Sequence, residues 1–245
     1  MLSKIFKIIL VSIVLLLSVG IPASIYFVRL RNDSFLGRIL KEKVIKYPKL
    51  VRLMDLNEPG DYKFFYLGLG NEALRVKVVT LNDKYSDKDA KNWFTEILQK
   101  TVNKKAVFSD KSVSYPKTEL LENEDLNKIR DEIISDAETD LNLVYAGSYA
   151  VKPSSVGVVI HRDTIFIFAD AIEALSEKGY INNLLEKTTI MHEWGHLLSL
   201  EHFNKENCIM NELLEVYDRP PTGKTIPAVY CWEELNQLRK IKEAI

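Results

Sequence analysis

His192-Glu193-Trp194-Gly195-His196-Leu197-Leu198-Ser199-Leu200-Glu201-His202 is the stretch around which the rest of the chain is read. On an α-helix His192 and His196 stand one turn apart on the same face, so both imidazoles can reach one metal ion. Glu193 is one step round from the first of them, where a carboxylate can meet a water at the metal without being a ligand. His202 carries a condition. At about 100° per residue it would lie roughly 240° round the helix from His196. It becomes a ligand only if the helix stops near Ser199 and the chain turns back under the metal. Three neutral imidazoles and an open fourth position make a catalytic zinc centre rather than a closed structural one. Three of the four histidines in the chain fall inside this motif, which a chance pattern on an ordinary amphipathic helix does not explain. The expected cofactor is one catalytic Zn2+.

The motif resembles that of the metzincin zinc metallopeptidases, HExxHxxGxxH followed by a nearby methionine, here Met210 within Cys208-Ile209-Met210. The spacing most resembles the archaemetzincins, whose pattern continues as C-x4-C-x-M-x17-C-x-x-C, the four cysteines holding a second, structural zinc. The register fits without a gap from Phe203 through Cys208 and Met210 to Ala228 and Cys231. Phe203 and Ala228 stand where that family has cysteine, and Ser199 stands where it has glycine. Two thiolates cannot close a tetrahedral site, so the second metal is not carried over. The family glycine lets the helix end in a left-handed turn, where a residue with a Cβ costs about 1–2 kcal/mol. The resemblance covers about Thr188–Cys231.

The resemblance implies a metzincin-like α+β fold: a twisted mixed sheet, an active-site helix carrying HExxH, and a small C-terminal subdomain beneath the cleft. It implies that Met210 packs beneath the zinc without binding it. It also implies that Cys208 and Cys231 converge, either as a disulfide or as free buried thiols. In that family a strand along the cleft pairs with an extended substrate. Thr164-Ile165-Phe166-Ile167-Phe168 is the candidate here, an ordinary core strand being the alternative. Tyr217 and Tyr230 could donate to a developing oxyanion, with simple packing as the other reading.

Zinc held by three imidazoles lowers the pKa of its bound water and polarises the scissile carbonyl. Glu193 would accept that water's proton and pass it to the leaving amine. The expected function is a membrane-anchored zinc-dependent peptidase acting on peptide or protein substrates. The alternative is a catalytically inactive zinc-containing peptide-binding module, against which the intact Glu193 argues.

Composition and termini complete the picture. With 245 residues, 47% apolar and 27% charged, the chain suits one folded domain of about 200 residues with an added segment. A net charge of −1 gives no electrostatic case for nucleic-acid binding. Ile8–Val28 contains no charged residue and follows Lys4 and Lys7, long enough to span a bilayer as a helix. A cleaved signal peptide competes, but the run outlasts a signal core and favours a transmembrane signal anchor over residues 1–28. Basic residues after the span argue for a cytoplasmic domain. The secretory form of the N-terminus and a disulfide reading of the cysteines argue for an extracytoplasmic one, the side favoured here.

Residues 29–60 read as a juxtamembrane connector and 61–245 as the metallopeptidase domain. Lys63–Leu67 and Leu74–Leu81 read as strands about a turn at Gly68-Leu69-Gly70-Asn71. Asp87–Val102 and Leu120–Leu141 read as amphipathic helices. Val156–Ile160 and Thr164–Phe168 read as short strands, Asn182–Leu198 as the metal-bearing helix, and Cys231–Ala244 as a closing helix. His161 reads as a surface residue of the turn between the two strands.

Overall fold

The structure, a computed structural model, describes residues 2–30, 34–68, 73–84, 87–116, 120–134, 139–176, 179–205, 208–212 and 226–244. It divides into two compact units, Met1–Leu56 and Asn57–Ile245.

The first unit is helical: α1 (Leu2–Leu15), a π-helical segment (Leu16–Gly20), α2 (Ile21–Leu30), α3 (Phe35–Val44) and α4 (Pro48–Leu53). The Ser34 side chain caps α3 by accepting from the Gly37 N–H at 3.0 Å, and Pro48 opens α4 where its missing N–H costs nothing. The sequence reading of a membrane anchor, and with it a membrane-anchored extracytoplasmic location, is corrected here. Among the described residues no helix is long and apolar enough to cross a membrane. The uncharged run is divided between a 14-residue and a 10-residue helix by the π segment.

The second unit is a mixed α/β fold. Its elements are α5 (Lys63–Leu67), β1 (Ala73–Leu81), α6 (Ala90–Val102), β2 (Lys105–Val113), β3 (Leu120–Leu121), α7 (Asn123–Lys128) with a π segment (Ile129–Ile134), β4 (Leu141–Ala146), β5 (Ser148–Tyr149), β6 (Gly157–His161), β7 (Thr164–Phe168), α8 (Ala169–Leu175), α9 (Gly179–Leu197) and α10 (Trp232–Glu243). The main sheet has the order β2-β1-β4-β7-β6. Its first four strands are mutually parallel, and only β6 runs antiparallel, against β7. With β6 antiparallel the sheet is mixed, as the resemblance implied, and most of its strands are parallel.

Two elements differ from the sequence reading for identifiable reasons. Lys63–Leu67 is a helical turn, in which Tyr62 stacks on Phe65 and both rings meet Tyr66 edge-on. A short apolar run has no periodicity to choose between strand and turn. Among the described residues, the helix expected over Leu120–Leu141 is instead β3, α7 and a π segment, and Leu141 opens the unanticipated strand β4. All six of its residues are buried, and a central parallel strand covered on both faces reads as a continuous apolar run, which a helical period can also fit.

Helix α9 lies against the sheet and α6. Trp194 is its anchor: fully buried, edge-on to Tyr66 and Phe94, with its indole N–H donating to Thr101 Oγ1 at 2.9 Å. A buried Trp with its N–H satisfied fixes the rotation of the helix, and so decides where His192, Glu193 and His196 face.

Candidate metal centre

α9 ends at Leu197, and the chain then reverses in a Schellman turn. Ser199 takes the left-handed conformation (φ 61°), the Leu200 N–H reaches the Gly195 carbonyl at 2.9 Å, and the Ser199 N–H reaches the His196 carbonyl at 2.9 Å. A serine tolerates this φ at a cost, and its hydroxyl is accommodated by Gly60. That glycine has φ +84°, and a Cβ on it would overlap Ser199 Oγ.

The reversal carries His202 to the other two histidines. The Nε2 atoms stand 3.1 Å apart for His192 and His196, 3.4 Å for His192 and His202, and 3.2 Å for His196 and His202. Nitrogens bound tetrahedrally at about 2.0–2.1 Å from zinc lie about 3.3–3.4 Å from one another, so the donor set fits one zinc ion. The tautomers fit as well. His192 Nδ1 meets the Ile209 carbonyl at 2.7 Å. A carbonyl only accepts, so the proton sits on Nδ1 and Nε2 presents its lone pair to the common centre. His192 is buried, His196 intermediate and His202 exposed, which leaves the site open on one side.

Glu193 is buried at 3% exposure and faces the start of β6. A Cβ on Gly157 would stand 3.0 Å from both Glu193 Cγ and Oε1, and would overlap Thr189 Cγ2. An isolated glycine opening a Val-rich strand is the signal that the backbone approaches something closely. A cleft of about 560 Å³ runs past these groups, lined by Gly157, Val158, Val159, Glu193 and His196 among others.

The strand facing the cleft is β6, and this corrects the assignment of Thr164, Ile165, Phe166, Ile167 and Phe168 as a substrate-pairing strand. β7 is hydrogen-bonded on one side to β4 and on the other to β6, and every residue of it is buried. Both of its edges are taken. β6 ends the sheet. The Phe168 N–H donates to the Val156 carbonyl at 2.9 Å, so Val156 and Val158 face β7, and Gly157 and Val159 turn their backbone groups outward.

Met210 is fully buried and lies directly against α9, since a Cβ on Gly195 would overlap its sulfur. Gly195 leaves room for it. Cys208 and Cys231 form a disulfide with a Cα–Cα distance of 5.0 Å. Glu234 lies beside them, fully buried, with backbone N–H groups donating to its carboxylate. Burial pushes its pKa up, and the backbone N–H groups that donate to it pull it back.

The remaining candidates lie elsewhere. The Tyr230 hydroxyl donates to the Met191 carbonyl, which commits it to α9, and burial raises its pKa well above the ordinary value. Tyr217 lies outside the described residues. His161, expected at the surface, is 9% exposed with neither ring nitrogen hydrogen-bonded. The β-bulge between Val159 and His161 resets its register.

No protein-family model matches the sequence, and no curated protein matches it. Among solved structures, the fold is similar to that of an archaemetzincin from Methanopyrus kandleri, at a TM-score of 0.53 and 16% identity, over 72% of this chain and 99% of that one. An archaemetzincin from Archaeoglobus fulgidus, solved with malonate, gives 0.47 and 14%, over 67% and 99%. A zinc-dependent peptidase from Methanocorpusculum labreanum gives 0.47 and 13%, over 66% and 99%. At these identities the likeness is one of fold. This chain is thus similar in fold to the Methanopyrus kandleri archaemetzincin, and it bears a histidine triad that can hold one zinc ion.

Proposed function

We propose that this protein is a zinc-dependent peptidase that hydrolyses peptide bonds, with His192, His196 and His202 as ligands and Glu193 as the general base. The observation that carries the reading is the convergence of three imidazole Nε2 atoms within 3.4 Å of one another, beside a buried glutamate and an open strand edge. Zinc bound there supplies Lewis acidity and a water of lowered pKa.

The chain's own residues do the rest. An extended peptide adds to the outward-facing groups of Gly157 and Val159 as a further strand, with backbone hydrogen bonds that ask little of its side chains. It shares the Gly157 carbonyl with the Ser155 hydroxyl, which donates to that oxygen at 2.8 Å. Glu193 Oε1, packed beside Gly157, accepts a proton from the attacking water and returns it to the leaving amine. Incubation of the zinc-loaded full chain with casein and with a mixed peptide library tests this. New N-termini, detected by mass spectrometry and abolished by a chelator, are the expected result. Zinc-loaded protein that binds these peptides and cuts none of them would support a binding module instead.

A further inference from the structure

The turn carrying Met210 is held from behind by a carboxylate that the hydrolytic reading does not use. Glu234, in the first turn of α10, is 0% exposed. Its Oε1 accepts from the Met210 N–H and its Oε2 from the Cys231 N–H at 2.5 Å. Helix capping accounts for the bond to Cys231, three residues earlier. It does not account for the bond to Met210, which lies 24 residues away.

That second bond leads to the metal centre. The Met210 N–H belongs to the same peptide group as the Ile209 carbonyl, and that carbonyl accepts from His192 Nδ1 at 2.7 Å. The next carbonyl, of Met210, accepts from the Phe203 N–H at 2.7 Å, one residue beyond His202. A carboxylate that accepts from one end of a peptide group polarises it and strengthens the carbonyl at the other end. A stronger acceptor on the outer nitrogen of an imidazole fixes the ring and makes the inner nitrogen a better ligand.

We propose that Glu234 is a positioning residue for zinc, acting on His192 through the Ile209–Met210 peptide group. This rests on reading the triad as a zinc site. The test is the zinc dissociation constant of the full chain, measured by competition with a chromophoric chelator, for wild type, Glu234→Gln and Leu238→Ala. Glutamine keeps the size of the side chain but turns an NH2 towards one of the backbone N–H groups, so the relay loses an acceptor. Leu238 is buried on the same helix and has no part in the relay, so its variant controls for a loosened α10.

Glu234→Gln is expected to weaken zinc binding at least ~10-fold and to move the downfield His192 Nδ1–H proton resonance upfield. Leu238→Ala should leave both near wild type. The proposal is overturned if Glu234→Gln binds zinc as tightly as wild type with an unmoved resonance, or if Leu238→Ala weakens binding equally. A wild type that binds no zinc overturns it together with the zinc-site reading. Zinc bound without peptide cleavage sinks only the peptidase reading.

Discussion

Ser199 and Gly60 share one space: the serine hydroxyl lies where a Cβ on Gly60 would be, and both residues have positive φ, 61° and 84°. The pair closes the turn that brings His202 under α9. Ser199→Gly removes the steric cost of a Cβ in the left-handed region and is expected to stabilise the protein by about 1 kcal/mol. Gly60→Ala both strains its own φ and collides with Ser199, and should destabilise by about 2 kcal/mol or more. Urea unfolding of the two variants against wild type measures both signs; a stabilising Gly60→Ala would refute the account.

Metal content should follow the triad. Wild-type protein is expected to carry one zinc per chain by elemental analysis, and His192→Ala with His196→Ala should carry none. Full occupancy in that double variant would place the metal elsewhere.

Glu193→Gln should keep its zinc and lose peptide hydrolysis by at least ~100-fold, because the ligands remain while the proton acceptor is gone. Unchanged turnover with zinc retained would remove Glu193 from the mechanism.

Gly157 opens the space that the base occupies, since an added Cβ would stand 3.0 Å from Glu193 Oε1. Gly157→Val is expected to lower hydrolysis by about 10-fold or more through misplacement of the carboxylate, with zinc content unaltered. Wild-type kinetics in this variant would show that β6 does not set the position of Glu193.

Glu186, on α9 well before the motif, gives a pH dependence whose sign is unusual for a carboxylate. Burial pushes its pKa up from 4.5 to about 7, against the opposing hydrogen bonds from the Tyr145 hydroxyl and the Asp87 N–H. The folded state therefore holds a proton that the unfolded chain releases above pH 4.5. Stability from this group is full below 4.5 and is lost as pH rises to about 7, on the order of 2–3 kcal/mol in all. His161 works the other way, because burial lowers its pKa from 6.5 and stability falls as pH drops below that value. Comparing wild type with Glu186→Gln isolates the first effect. The variant should gain on wild type between pH 4.5 and 7 in urea unfolding, and parallel stability curves would show that Glu186 ionises normally.

The i, i+4 spacing of His192 and His196, with Glu193 beside them, was legible in the sequence because helix geometry is local: 3.6 residues per turn fixes which side chains share a face. The amphipathic periods of α6 and α10 were legible for the same reason, and so were the short apolar strands at β6 and β7. What lay beyond local spacing was decided by tertiary structure. Whether His202 joins its partners depends on a turn at Ser199 that needs Gly60, 139 positions earlier. Which strand borders the cleft depends on which edges neighbours occupy, and β4, absent as a strand from the sequence reading, takes one edge of β7. The acceptors behind His192 come from the Met210 turn and from Glu234, brought together by packing and by the Cys208–Cys231 disulfide. Periodicity reports the faces of an element, whereas partners across long sequence separations are chosen only when the whole chain is packed.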